Sequence, residues 1–267
     1  MNDALIETPT PQTPDGDQRD ITHLCLVTGI LLLQHGAESA LVDSVSTRLG
    51  VALGTEVVEV AILGNALSVT TIHDGHAVTL IRRCVDRGIN MHFVTETQRA
   101  VLAVEAKELD REAFRARIKA IVPWHYPRWL VALAIGLSCA CFARLAGADL
   151  IACVVTFVAS TVAMVTRQIL AARHFNPHVT FFVSAFVATS VACQAVTSQL
   201  GHTPKLAMAS SVLLLVPGFP MINAVSDVVK GYFHTGVARA VMATMLGSAT
   251  AGGILLAMTV WRVWGWL

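Results

Sequence analysis

Two prolines and a glycine interrupt an otherwise apolar stretch at Pro217-Gly218-Phe219-Pro220. Proline has no backbone N–H to donate, so a helix through these residues is broken or loosened there. Within a membrane, broken helices line substrate paths, and the N-terminus of a half-helix can face an anion. Pro220 suits the first turn of such a second half-helix; the plain alternative is a packing kink or a helix end near the interface. Asn223 and Asp227 follow at a spacing of four and share one helical face. An acid at membrane depth is costly unless it meets water or a partner. Lys230 and Arg239 are the candidate partners for Asp227, and the plain alternative is a salt bridge at the cytoplasmic rim. Asp227 is also the one deep acid that could carry a proton. Arg167, beside Gln168, closes an earlier apolar stretch; it could attract an anionic substrate, or only snorkel and set topology. Pro217, Gly218, Pro220, Asn223, Asp227, Arg239 and Arg167 are therefore the expected substrate or ion path.

Other clusters invite chemistry less. His73-Asp74-Gly75-His76 could supply metal ligands, but no further cluster completes the set, and the segment reads as a turn with polar flanks. His35 and Glu38 read as a helix-end histidine and a cap-region acid. Ser39 lacks the G-x-S-x-G context of an activated nucleophile. The sequence G-x-x-x-x-G-K-[ST] is absent, so ATP hydrolysis is not expected. Six cysteines without a C-x-x-C pair suggest neither disulfides nor zinc. No catalytic residue, metal or cofactor is expected, and the chain reads as a non-enzyme.

Elements that position these residues follow from composition. Of 267 residues, 54% are hydrophobic and 14% charged, against about 25% charged in a soluble domain. The charges are segregated: 16 of the 18 acids precede Trp129, leaving only Asp149 and Asp227 beyond it. A net charge of +1 gives no sign of a nucleic-acid partner. Residues 1–19, polar and proline-rich, are expected to be a disordered tail rather than a signal peptide. Residues 20–125 read as an α+β domain. Helices are expected from Asp20 to Gly36, over Ala37–Leu49, Thr95–Leu109 and Asp110–Ile121. Strands are expected at Glu56–Leu63, Ala66–His73 and His76–Arg82, with Gly64-Asn65 and Asp74-Gly75 as turns. Met91–Val94 reads as a further strand.

Residues 126–267 read as a helical membrane bundle of about five spans, near 129–148, 150–167, 178–200, 206–226 (interrupted at 217–220) and 239–262. Each approaches the ~20 residues needed to cross a bilayer. Trp124, Tyr126 and Trp129 before the first span, and Trp261, Trp264 and Trp266 after the last, suit the interfaces. A cytoplasmic N-terminus puts Arg111, Arg115, Arg117, Lys119, Arg128, Arg167, Arg173, Lys230 and Arg239 inside. Arg144, Lys205 and Arg262 are then outside, with the C-terminus periplasmic. Small residues from Gly247 to Gly253 suit close packing against another helix, in this chain or in a higher oligomer.

The order of these parts resembles the threonine/serine exporter (ThrE) family. The features that carry the resemblance are the Gly36-Ala37-Glu38-Ser39 turn and Val216-Pro217-Gly218-Phe219-Pro220-Met221-Ile222-Asn223-Ala224, followed by Asp227, Gly231, Gly236 and Arg239. The resemblance runs from about Asp20 to the last span and is specifically to the larger subunit of the family's split form. It implies secondary export of small hydrophilic metabolites across the bacterial inner membrane. It also implies a partner, a smaller membrane subunit of YjjB type supplying the half that fused members carry. The split form is associated with succinate export, and seven Lys and Arg against two Asp in the apolar half tilt the same way. Succinate or a similar dicarboxylate ranks first, threonine or serine second. Other classes are a regulatory or structural subunit, or an enzyme on a membrane anchor, although an anchor needs one or two spans rather than five.

Overall fold

The computed structural model describes residues 14–263; residues 1–13 of the expected tail, and Trp264 and Trp266 of the aromatic belt, lie outside the described residues. The chain forms two compact units. One comprises the chain up to Trp124 together with Ile222–Arg239; the other comprises His125–Met221 and the chain from Ala240 onward.

In the first unit, α1 (Pro14–Gln34) is the central helix. It begins six residues before Asp20, so residues 14–19 are helical rather than part of a disordered tail. Side chains there have partners: Gln18 Nε2 donates to the Thr71 and His76 carbonyls at 3.0 Å each, and Asp17 pairs with Arg111. From Ile21 to Leu32, α1 is buried on nearly every side, as expected of a helix apolar around its circumference. Around it pack α2 (Ser39–Ala52), a three-stranded antiparallel sheet of β1 (Val57–Leu63), β2 (Ala66–His73) and β3 (His76–Arg83), and α3 (Met91–Glu105). α4 (Arg111–Ala120) packs on α3.

The sheet is the most local of these structures. Leu63 pairs with Ala66 and His73 with His76, so each hairpin closes over two residues. Asp74 and Gly75 both take positive φ (48° and 76°), the conformation that Asp-Gly supplies in hairpin turns. Leu67, Val69 and Thr71 alternate toward the core from the central strand. Met91–Val94, expected as a strand, is instead the first turn of α3. The Asn90 side chain accepts from the Phe93 N–H at 3.1 Å, and the buried positions Phe93, Thr97, Ala100, Val101 and Val104 keep helical spacing.

The second unit is helical: α5 (Arg128–Leu145), α6 (Leu150–Ala172), α7 (Pro177–Thr197), α8 (Pro204–Ser211) and a 3-10 turn (Leu213–Leu215). Across the division between the units run α9 (Gly218–Val229) and α10 (Phe233–Val260). Among the described residues, four helices, α5, α6, α7 and α10, are long and apolar enough to cross a membrane; the bent pair Pro204–Leu215 and Gly218–Val229 makes a fifth if it is one span. The helices differ from the expected spans mainly at their ends: α6 runs on to Ala172, and α10 starts at Phe233, six residues before the expected start at Arg239. Small residues set the packing. Ala152, Thr156, Ala159, Ser160 and Ala163 form the buried face of α6, and Gly136 of α5 lies so close that a Cβ would sit 2.9 Å from the Phe157 carbonyl oxygen. Asp149 ties two loops by accepting from the Thr203 N–H at 3.2 Å and the His202 N–H at 3.3 Å.

Candidate functional site

The turn between α1 and α2 gathers a cluster of long-range polar contacts in the first unit. Gly36, at φ 92°, ends α1; the Ala37 N–H reaches the Leu32 carbonyl at 3.1 Å and the Gly36 N–H that of Leu33 at 3.3 Å, the reverse-turn pattern that only a left-handed residue closes without strain. Glu38 precedes α2 in extended conformation and makes no side-chain cap of its own. The first helical N–H, of Ser39, donates instead to Asp227 Oδ1 at 2.9 Å, from a residue 188 positions away. A carboxylate there satisfies an orphan donor and complements the positive end of the helix dipole.

Asp227 does not act alone. Its Oδ2 accepts from Arg239 Nη1 at 2.7 Å, and Arg239 Nη2 donates to the Ala37 carbonyl at 2.8 Å. Asn223 Nδ2 donates to the Gly36 carbonyl at 3.0 Å. The backbone of residues 36–39 is thus read by three side chains of the segment 222–239. Around this center, Glu38 accepts from Ser226 Oγ at 2.8 Å and Lys230 Nζ at 2.6 Å, and the Tyr232 hydroxyl donates to Asp43. Asn223, Ser226 and Asp227 recur at intervals of three and four on one face of α9, and Lys230, the residue after its last, continues the spacing. Asp227 is fully buried and the Arg239 side chain 18% exposed.

The segment is folded back tightly. Gly231, at φ 92°, ends α9, with the Tyr232 N–H donating to the Asp227 carbonyl at 2.8 Å. A Cβ on Gly236 would lie 2.6 Å from Val228 Cγ2 and 2.9 Å from the Ala224 carbonyl oxygen; glycine is what lets α9 and α10 approach. Electrostatics agree with the geometry. The hydrogen bond from Lys230, with that from Ser226, holds the Glu38 carboxyl below its usual range. Burial, reinforced by the hydrogen bond to Asp43, pushes the Tyr232 phenol up to about 12.

Of the seven expected path residues, Asn223, Asp227 and Arg239 come together here. Arg239 is the partner of Asp227; Lys230, the other candidate, pairs with Glu38. Both Asp227 oxygens accept hydrogen bonds, Oδ1 from the Ser39 N–H and Oδ2 from Arg239. Pro217, Gly218 and Pro220 belong to the second unit, where Val216 turns extended, the Gly218 N–H bonds the Val216 carbonyl at 2.8 Å, and the helix axis bends by 58°. Pro220 sits in the first turn of α9. Arg167 lies on α6 with its guanidinium 4.6 Å from the center of the Phe181 ring. His35 stacks on Phe93 at 4.1 Å, and His73 and His76 close a hairpin. Among the described residues, no three His, Cys, Asp or Glu side chains are grouped to hold a metal. The contributions of Asp43, Ser226 and Tyr232 were not foreseen from the sequence. The spacing of Ser226 with Asn223 and Lys230 was a visible signal; Asp43 and Tyr232 gave none.

Several long apolar helices, with one candidate span broken at prolines, define a multi-pass membrane protein that also carries a small α+β unit. The chain belongs to the ThrE family, described as "Putative threonine/serine exporter", which it matches over residues 23–261. It is 51% identical to the "Probable succinate transporter subunit YjjP" of Escherichia coli over 94% of this chain and 98% of that one. It is 50% identical to the protein of the same name from Klebsiella aerogenes, over 96% and 99%. The "Probable threonine/serine exporter" of Mycobacterium tuberculosis is 25% identical over 90% of this chain and 46% of its own length. No solved structure matches the chain.

Proposed function

We propose that this chain is a subunit of an inner-membrane secondary exporter of small carboxylates, with succinate the leading substrate, and that it works with a smaller, YjjB-like membrane subunit. The observation that carries this reading is the identity of about half the residues, end to end, with relatives named as succinate transporter subunits. The bent span supports it, since a helix broken by prolines frees backbone groups that a path can use. The first unit faces the cytoplasm in this reading, because nine Lys and Arg then lie inside and three outside. Pro217, Gly218 and Pro220 shape the path, Arg167 attracts the anion, and Asn223, Asp227 and Arg239 hold the span below the break.

The test is export from cells lacking both subunits, restored with this chain, the partner, or both, while succinate, threonine and serine are followed together. Succinate efflux only with both chains is expected. Efflux of threonine or serine instead would move the substrate to the second reading, which the family description and the mycobacterial relative favour.

A further inference from the structure

The contacts around residues 36–43 fall into two tiers that differ in what it takes to break them. The inner tier is the Asp227–Arg239 pair with the Ser39 N–H and the Ala37 carbonyl, where the carboxylate is fully buried. Removing one partner from such a pair leaves an uncompensated charge, so this tier opens only at high cost. The outer tier is Glu38 with Lys230, whose side chains are 31% and 43% exposed. Water can replace this contact, so making and breaking it is nearly balanced. The inner tier holds α9 through Asp227, and Glu38 of the outer tier holds its end through Ser226 and through Lys230, the residue after its last; α9 is one helix whose first residue, Gly218, follows the break. At that break, Val216 is extended and the bend of 58° is absorbed within Val216 and Pro217. A few residues of this kind are what a hinge consists of.

Resting on the exporter reading, we infer that Glu38 and Lys230 are positioning residues for transport: through α9 they set the geometry of the broken span at Val216–Pro217. The inner tier is the pivot. The outer tier is the contact whose engagement or release turns α9 about that pivot. Tyr232, donating to Asp43 beside the Glu38 contact, limits the travel.

The test uses the full chain in membranes with its partner subunit. Val216, at the break, is replaced by cysteine (Val216→Cys), and its reaction with a hydrophilic maleimide is followed by peptide mass spectrometry, which separates it from the six native cysteines. Glu38→Lys and Lys230→Glu are each expected to change the labelling rate about threefold or more and to lower export, with the double exchange returning both toward the parent. Glu38→Gln provides a milder form should Glu38→Lys accumulate poorly. Unchanged labelling in the single variants at equal protein levels would overturn the inference, as would a double exchange that restores neither property. Labelling is read without substrate, so a parent that exports none of succinate, threonine and serine would sink the exporter reading while leaving this one measurable.

Discussion

Asp227 illustrates how one side chain's need for a partner can be read from its neighbourhood while its full set of partners stays out of view. Its apolar setting marked it as a residue needing a partner, and Arg239 is that partner; the N–H it caps belongs to a helix 188 residues earlier, which no local pattern announces. As a buried link, Asp227→Asn should lower the stability of the purified protein by about 3 kcal/mol through the stranded guanidinium. Glu96→Gln, at the exposed pair with Arg99, should cost under about 1 kcal/mol. Thermal unfolding in detergent compares them. Two neighbouring groups give pH signatures of opposite sign. Glu38 has a folded-state pKa below the ordinary 4.5, so its contribution is complete above that pH and lost as pH falls through the lower value. The stability gap between the parent and Glu38→Gln should therefore narrow only in acid. Tyr232 is raised from 10.0 to about 12, so its contribution is complete below pH 10 and lost as pH rises through about 12. Ultraviolet titration of phenolate formation in a Tyr126→Phe background should show Tyr232 ionising late; a midpoint near 10 would remove the hydrogen bond to Asp43 from the account.

Secondary structure was legible wherever its cause is local. The two hairpins followed from Gly64-Asn65 and Asp74-Gly75, and the spans from sustained apolar runs. Met91–Val94 misled because Met-His-Phe-Val has the composition of a strand, while the deciding fact is the Asn90 cap and a buried stripe continuing to Val104. The start of α1 at Pro14 rests on Gln18 reaching across to β2 and β3, again a distant partner. Glycines of α10 make two kinds of helix contact, which Gly236 and Gly247 distinguish. Gly236→Ala should force α9 and α10 apart, since its Cβ would meet a carbonyl oxygen that cannot yield, and should destabilise the protein by about 1–3 kcal/mol. Gly247→Ala, where a Cβ would meet nothing within 4 Å, should leave the isolated chain unchanged or slightly more stable. If Gly247→Ala instead impairs only the assembled two-subunit protein, that face of α10 packs against the partner.

The division of the whole chain departs most from what composition suggests. Acidic residues nearly vanish after Trp129, so the sequence divides into a water-compatible and an oil-compatible half at about residue 125, and 222–239 falls on the apolar side. Yet these residues belong with the N-terminal unit, because Asn223, Ser226, Asp227, Lys230, Tyr232 and Arg239 all bond to residues 36–43. A cut after Trp124 thus removes a part of the unit rather than freeing a complete domain. The fragment 14–124 should be less stable than the same fragment joined by a flexible linker to 222–239, by about 2–4 kcal/mol, as read from denaturant midpoints. The gain should depend on the buried pair, so Asp227→Asn in the joined form should erase most of it, whereas a scrambled 222–239 segment should give none. Equal midpoints for the two fragments would mean that the N-terminal unit is complete by Trp124 and that the 222–239 segment merely rests against it. In that case neither Glu38 nor Asp227 could hold the broken span in place.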